Sequence, residues 1–242
     1  MSKGRWQSKA TGVGARLWAL TAIIVAVACA VSADAQKPSS ESRPNLEGTW
    51  RLSPGLGTPR LSPDPPFQPW AEQFFKEAQS GERPDPGAWC LAPGVPRIMK
   101  APYPFEIFQR GNRVDLLHEY QHIVRRIWTD ARGHPQNLDP TWMGHSIGRY
   151  EGDSLVVDTA GLNDRTWLDP SGAPHSDQLH VIERFTRVSP SRLNVEITID
   201  DAKAYTKTWS VLLTYDLKPD WEIYEFICEE NNRARPKDKP RP

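Results

Sequence analysis

Short stretches of alternating apolar and polar residues dominate the chain from Leu46 onward. Alternation with a period of two is typical of β-strands, whose successive side chains point to opposite faces. The predicted strands cover residues 46–52, 105–109, 113–119, 123–128, 145–150, 154–159, 179–188, 192–200, 206–216 and 221–228. Most are joined by short hairpin-type turns, such as those at residues 110–112 and 151–153. The pattern predicts an all-β fold, an antiparallel up-and-down barrel, with a β-sandwich as the alternative.

One short helix is predicted near the N-terminal end of this region, over residues 69–79. Three residues in it recur at helical spacing, Trp70, Phe74 and Ala78. We expect their common face to pack against the barrel wall. Two proline-rich segments, residues 54–66 and 83–104, are expected to wrap around the barrel, because proline has no amide hydrogen to give to a strand ladder.

The first 35 residues have the features of an export signal. Basic residues precede an apolar run at residues 17–31, and a small-residue cleavage pattern follows at residues 33–35. The run is shorter than the roughly 20 apolar residues of a membrane span, so we predict cleavage after Ala35; lipidation at Cys29 is the alternative. The other predicted segments are a flexible leader (36–45), a single barrel domain (46–230) and a disordered tail (231–242), in a periplasmic or secreted protein.

Charge is balanced in this chain, with 30 basic and 30 acidic residues. The predicted signal carries four of the basic residues and one of the acidic residues, so its removal leaves 26 against 29. A nucleic-acid-binding protein would show a basic stripe with interleaved aromatic residues. Here the two signs are mixed along almost every segment, so we expect no nucleic-acid partner and no stable membrane span in the mature chain.

Two cysteines, Cys90 and Cys228, remain after removal of the signal. In an oxidising compartment, such a pair is expected to form a disulfide. A reactive thiol is the alternative. It is disfavoured because neither cysteine has a neighbouring histidine or a Cys-x-x-Cys spacing.

Two resemblances to known families add to this picture. The Gly48-Thr49-Trp50 sequence resembles the Gly-x-Trp opening of lipocalins and other calycins, which implies a lipocalin-like barrel. Residues 90–97, 139–158, 174–185 and 205–209 together resemble an uncharacterised family of secreted bacterial proteins, and that resemblance implies no reaction.

Side chains able to bind a ligand or to take part in catalysis are concentrated between residues 140 and 185. This segment holds three of the six histidines, two tryptophans and several carboxylates. Loops carried on a rigid sheet are where binding and catalysis concentrate. His145 is predicted at the barrel rim. The long loop after Thr159 is predicted to act as a lid that brings Asp164 and His175 close to His145, giving a His–carboxylate constellation able to move a proton.

Glu183 shares a predicted strand face with Leu179, Val181 and Phe185, so it should point into an apolar environment that raises its pKa. The alternative is a buried glutamate paired with an arginine. The same alternation directs Arg126 inward, as a partner for Glu183 or an anchor for an anionic ligand. His118 is also predicted inside the barrel, either lining a ligand site or hydrogen-bonded within the core.

Other chemistries fit the sequence less well. A metal site from His145, His175, His180 and Glu183 is disfavoured, because His180 and Glu183 face opposite sides of an extended strand. Nucleophilic hydrolysis is disfavoured, because Ser146 follows His145 directly in a predicted strand and would point away from it. Glycoside cleavage by Asp164 and Glu183 would depend on a separation that the sequence does not give.

The favoured hypothesis is an exported lipocalin-like barrel that binds a small apolar or amphipathic molecule at its mouth. Residues predicted to contact this molecule are Trp142, Trp167, Tyr205, His118 and Tyr120. The catalytic form of the hypothesis is acid–base chemistry without a cofactor or a metal, such as isomerisation, cyclisation or elimination, by His145, Glu183, Asp164, His175 and Arg126. The alternatives are a non-catalytic carrier of the periplasm and an envelope interaction protein that uses an exposed sheet edge.

Overall fold

The computed structural model of the protein describes residues 43–54 and 65–231. Its strands are β1 (Gly48–Leu52), β2 (Phe105–Gln109), β3 (Arg113–His118), β4 (Val124–Trp128), β5 (His145–Glu151), β6 (Ser154–Ala160), β7 (His180–Ser189), β8 (Arg192–Asp200) and β9 (Trp209–Leu217). Its helices are α1 (Pro69–Ser80) and α2 (Cys228–Asn231), with short 3-10 turns at Pro86–Trp89, Arg97–Lys100 and Tyr120–His122. The predicted export signal, Cys29 and most of the predicted leader, tail and first proline-rich segment lie outside the described residues.

The nine strands form a closed barrel in which neighbours in sequence are neighbours in space. The first and last strands close it, since Trp50 pairs with Leu217 in an antiparallel ladder. The all-β barrel prediction is therefore confirmed, and the sandwich alternative is wrong. Closure also removes the exposed sheet edge that an envelope interaction protein of the predicted kind would use.

One strand pair corrects the prediction of a wholly antiparallel barrel. β4 and β5 run parallel over a short contact, Ile127 with Ser146 and Trp128 with Ile147. Parallel neighbours require a connection that crosses from one end of the barrel to the other. Residues 129–144 make that crossover, and they carry His134 over the outside of the barrel wall.

The strand predicted at residues 221–228 is also wrong, because β1 already occupies the free edge of β9. In place of a strand ladder, side chains accept hydrogen bonds from backbone amides of this extended segment. The Tyr224 amide donates to Glu119, and the Phe226 amide donates to His122. The segment leads into α2, where Cys228 forms the predicted disulfide with Cys90.

Helix α1 packs by a different face from the predicted one. Trp70 is 44% exposed, whereas Ala71 is fully buried. Phe75, one turn after Ala71, packs against the core, and its ring lies 5.1 Å from that of Phe67. The buried stripe is therefore shifted by one residue, and Trp70 donates its indole hydrogen to the carbonyl of Lys203.

Large side chains occupy the barrel interior. Trp50, Phe105, Phe185 and Tyr215 are each at most 2% exposed. Such packing leaves the inward positions as a filled core and not as a cavity for the small molecule that was predicted to bind at the barrel mouth. A binding site must then be sought on the outer wall or at the ends of the barrel.

One observation bears on the compartment. The Cys90–Cys228 disulfide is typical of proteins that fold outside the reducing cytoplasm. Among the described residues, no helix combines the length and the apolar character needed to cross a bilayer.

Candidate functional site

Three neighbouring strands place a histidine, an aspartate and a second histidine on the outer face of the barrel wall. Ser146, Thr159 and Val181 are nearly inaccessible and point inward. Alternation therefore turns the adjoining His145 of β5, Asp158 of β6 and His180 of β7 outward. These strands pair directly, so the three outward side chains lie on one patch of the wall.

The crossover adds a third imidazole. His134 Nδ1 lies 2.9 Å from His145 Nδ1, and His134 Nε2 lies 3.3 Å from Asp158 Oδ1. The same carboxylate oxygen also pairs with His180 Nε2. His134, His145, Asp158 and His180, from here on the His–Asp cluster, thus form one connected network.

The pKa values of the groups in this network are shifted in different directions. Partial burial opposes ionisation of Asp158, but the hydrogen bonds and charges of His180 and His134 outweigh it and lower its pKa. The hydrogen bond to Asp158 raises the pKa of His180. Burial, followed by the charges of His134 and Arg132, lowers the pKa of His145. Asp158 is therefore held as a carboxylate.

A depression of about 470 Å³ lies next to the cluster, at the end of β6, β7 and β8. Residues lining this β6–β8 depression are Ala160, Gly161, Asp177, Gln178, Leu179, His180, Asp200 and Ala202. His180 belongs to both the depression and the cluster. A molecule in the depression would therefore touch an imidazole that is already bonded to a carboxylate.

A second depression, of about 480 Å³, lies at the opposite end of β7 beside Val188 and Ser189. It has a similar volume, and the cluster side chains are not among the residues that line it. At about 3.3 Å per residue, eight residues of strand place Val188 about 26 Å from His180. A substitution in the second depression can therefore serve as a control for a substitution in the first.

Glu183 does not lie with His145, contrary to the predicted catalytic pair. It points into the barrel, where it forms a buried ion pair with Arg125. Arg125 also donates to the hydroxyl of Thr159 at 2.9 Å. The sheet itself separates Glu183 from the outward His145, so the two cannot act on one substrate.

Arg126 is likewise placed on the wrong face by the prediction. β4 turns Arg125 and Ile127 inward and leaves Val124 and Arg126 exposed. The alternation that would direct Arg126 inward would also direct Val124 inward, but Val124 is 51% exposed. The arginine partner foreseen for Glu183 exists, one residue earlier in the chain.

His175 and Asp164 also lie away from His145. His175 is buried, and its Nδ1 donates to the carbonyl of Ser176. Asp201 fixes this part of the loop by accepting from the amide and hydroxyl of Ser176. Asp164 is exposed, and its charge acts on His175. The loop is therefore tied to the β8–β9 connection and is not a lid over His145.

The residues predicted to contact a ligand do not line one pocket. Trp142 lies under the guanidinium of Arg165. Tyr205 is buried, and its hydroxyl donates to the carbonyl of Pro174. Tyr120 stacks on Tyr103. These aromatic rings pack parts of the outer layer.

The other two predicted contact residues are buried. Trp167 is 6% exposed, and Arg97 lies over its ring. His118 lies inside the barrel against the ring of Phe105. Burial, followed by the charge of Arg125, lowers the pKa of His118 to about 3. His118 is therefore neutral and lies in the core.

Sequence reasoning missed His134 and Asp158 and used His180 only to argue against a metal site. Strand alternation does contain part of the signal, since it places Asp158 and His180 on the same face as His145. His134 sits in an aperiodic loop, and no pattern in the sequence links it to the wall.

The chain was compared with known proteins. No protein-family model matches it, and no curated protein does. Among solved structures, it is similar to a crystal structure of a variant of the fluorescent protein UnaG, with 12% sequence identity. The match covers 72% of this chain and 96% of the UnaG chain, with a TM-score of 0.32. Because this similarity is low, the barrel is described from its own strand pairing and the site from its own geometry.

Proposed function

We propose that the protein binds a small amphipathic molecule in the β6–β8 depression, on the outer wall of the barrel. The observation that carries this proposal is the depression itself, which has room for a ligand and includes His180 in its lining. Ligand sites in proteins are commonly clefts of about 300–1,000 Å³ with a few convergent polar groups. This site has that form.

The lining indicates the character of the ligand. Ala160 and Ala202 offer apolar surface, whereas His180 and Asp200 offer polar and charged groups. A molecule with a small apolar body and hydroxyl or amine groups satisfies both. This site takes the place of the predicted site at the barrel mouth, because the barrel interior is packed.

The experiment is native mass spectrometry of the full chain purified from its host. Ala202 is exposed and lines the depression, so Ala202→Trp fills the site with little effect on the core. The matched control is Val188→Trp, which places the same ring in the second depression. We expect a bound mass in the wild type and in the control and its loss in Ala202→Trp. Equal retention in both variants contradicts the proposal.

A second candidate function is cofactor-independent acid–base catalysis on the bound molecule, such as isomerisation, cyclisation or elimination. It is favoured by one contact: His180 both lines the depression and pairs with Asp158, as an oriented histidine does in proton transfer. Incubation of the recovered molecule with wild type and His180→Gln tests it. A new product formed only by the wild type supports catalysis, and retention without any product identifies a carrier.

Export is part of the same proposal and is supported by the Cys90–Cys228 disulfide. The mature chain isolated from its host should begin at Gln36, which N-terminal mass mapping will test. A chain that retains residues 1–35 in the cytoplasm contradicts this assignment.

A further inference from the structure

The His–Asp cluster brings together three groups of the kind that bind transition metals. His134, Asp158 and His180 each offer one donor atom, and these atoms all lie within 4.8 Å of one another. A tetrahedral metal with bonds of about 2.1 Å holds its ligand atoms about 3.4 Å apart. The 3.3 Å between His134 Nε2 and Asp158 Oδ1 already has that spacing.

From this geometry we infer that the protein binds one divalent transition-metal ion, of the zinc type, through His134, Asp158 and His180. The three ligands come from the crossover, β6 and β7, so the ion would join the crossover to the barrel wall. The inference rests on the cluster alone. It holds whether or not a small molecule occupies the β6–β8 depression.

A second observation supports the site independently of the three ligands. Metal-bound histidines usually donate their other ring N–H to an acceptor, which fixes the ring. His134 Nδ1 faces His145 Nδ1 at 2.9 Å, which leaves His134 Nε2 directed at Asp158. His145 therefore orients His134 as a supporting acceptor does, and it is the positioning residue of the site.

The local charges also favour a cation. Asp158 is held as a carboxylate, and the negative charge of Asp200 acts on His180. Arg132 is the nearby opposing charge, but its guanidinium is paired with Asp130 at 2.5 Å. An ion would therefore take the place of the direct contacts that the two imidazoles now make with a single carboxylate oxygen.

The donor set selects the class of ion. Two imidazoles and one carboxylate suit zinc and neighbouring transition metals, whereas magnesium and calcium prefer oxygen ligands alone and copper(I) prefers sulfur. Three protein ligands leave one position for water or substrate, as in catalytic zinc sites. Because His180 also lines the β6–β8 depression, the metal site lies at the edge of that depression.

Isothermal titration of the full chain with zinc chloride tests the inference. The protein should be produced without a histidine tag, treated with EDTA and dialysed. We expect saturable binding of one ion per chain. Binding should weaken at least 100-fold in His134→Ala, Asp158→Asn and His180→Ala, and about 10- to 100-fold in His145→Ala, whose role is positioning.

A matched control removes a histidine outside the cluster. His122 is exposed and bonds only to the segment around Tyr224 and Phe226 in the described contacts, so His122→Ala should bind zinc as the wild type does. Far-UV circular dichroism identifies any variant that does not fold. Cobalt(II) gives a second readout, because its visible spectrum should be intense in the wild type and should change in His145→Ala. No saturable binding, or equal binding in wild type and His180→Ala, overturns the inference.

Discussion

Arg125 of β4 and Glu183 of β7 face each other across the packed interior of the barrel and form an ion pair in which both side chains are at most 1% exposed. The contact is bidentate, with Arg125 Nη1 donating to Glu183 Oε1 at 3.0 Å and Nη2 donating to Oε2. Ser146 accepts from Nε and Thr159 accepts from Nη2 of the same guanidinium. A charge pair so deeply buried is stable only while both partners are present.

Removal of one partner should therefore be costly. We expect Arg125→Met or Glu183→Leu alone to lower the free energy of unfolding by about 3–5 kcal/mol, because each leaves an unpaired buried charge. The double variant should lose much less than the sum of the two. Urea unfolding followed by tryptophan fluorescence measures all three, and simple additivity would show that the pair is not coupled.

A matched control lies on the outer face of the same strand. Arg184 pairs with Glu151 at 2.7 Å, but both side chains are more than a third exposed. Water and salt screen such pairs. Arg184→Met should therefore leave the urea midpoint nearly unchanged.

The Arg125–Glu183 pair also marks the limit of strand alternation as a predictor. Glu183 was directed inward correctly, since Val181 and Phe185 flank it on the same face. The sequence Val-Arg-Arg-Ile-Trp of β4 carries apolar residues on both faces, so its pattern is compatible with either arginine pointing inward. The partner across the barrel decides between them, and it lies 58 residues away.

Local patterns likewise predict most of the barrel and only part of the site. The eight antiparallel strand pairs agree with the predicted arrangement, whereas the parallel β4–β5 contact follows an aperiodic crossover. His145, Asp158 and His180 could be assigned to one face from sequence. His134 reaches them through the path of that crossover, which depends on tertiary packing.

His118 should give the protein a distinctive loss of stability in acid. Its pKa falls from an ordinary 6.5 to about 3 in the folded chain. Among the described residues, its Nε2 has no hydrogen-bond partner. Between these two pH values the unfolded chain binds a proton at this histidine and the folded chain does not. The free energy of unfolding therefore falls as the pH is lowered, by about 1.4 kcal/mol per pH unit.

The test compares wild type with His118→Phe, which keeps an aromatic ring against Phe105. From pH 7 to pH 5 the urea midpoint of the wild type should fall relative to that of the variant, because the variant lacks this proton-linked loss. His175, whose pKa burial also lowers, contributes equally to both proteins. Parallel pH profiles would contradict the buried, neutral state of His118.

The Cys90–Cys228 disulfide should be a major source of stability. It joins residues 138 positions apart, and loop-closure entropy over that distance corresponds to as much as about 5 kcal/mol. We expect the Cys90→Ser/Cys228→Ser double variant and the wild type in dithiothreitol to show the same large drop in urea midpoint. An unchanged midpoint in either would show that packing of Phe226 against Tyr103 and Tyr120 suffices to hold this segment.

Gly144 connects the backbone of the crossover to the His–Asp cluster. Its φ of +64° lies in the left-handed region, and a Cβ there would stand 2.7 Å from the carbonyl oxygen of Ala160. Gly144→Ala should cost about 1–3 kcal/mol of stability, because both the backbone angle and the close approach resist a side chain. The strain falls on the residue directly before His145 and beside the β6–β8 depression.

The effect on stability and the effect on binding are measured separately. Gly111→Ala is the control, since a Cβ at Gly111 meets no described atom within 4 Å and should change the urea midpoint little. Gly144→Ala should lower the midpoint and also weaken zinc binding and retention of the small molecule, because His145 and Ala160 move with it. If the variant loses stability but binds both as the wild type does, the cluster tolerates displacement of β5. The positioning role assigned to His145 would then fail.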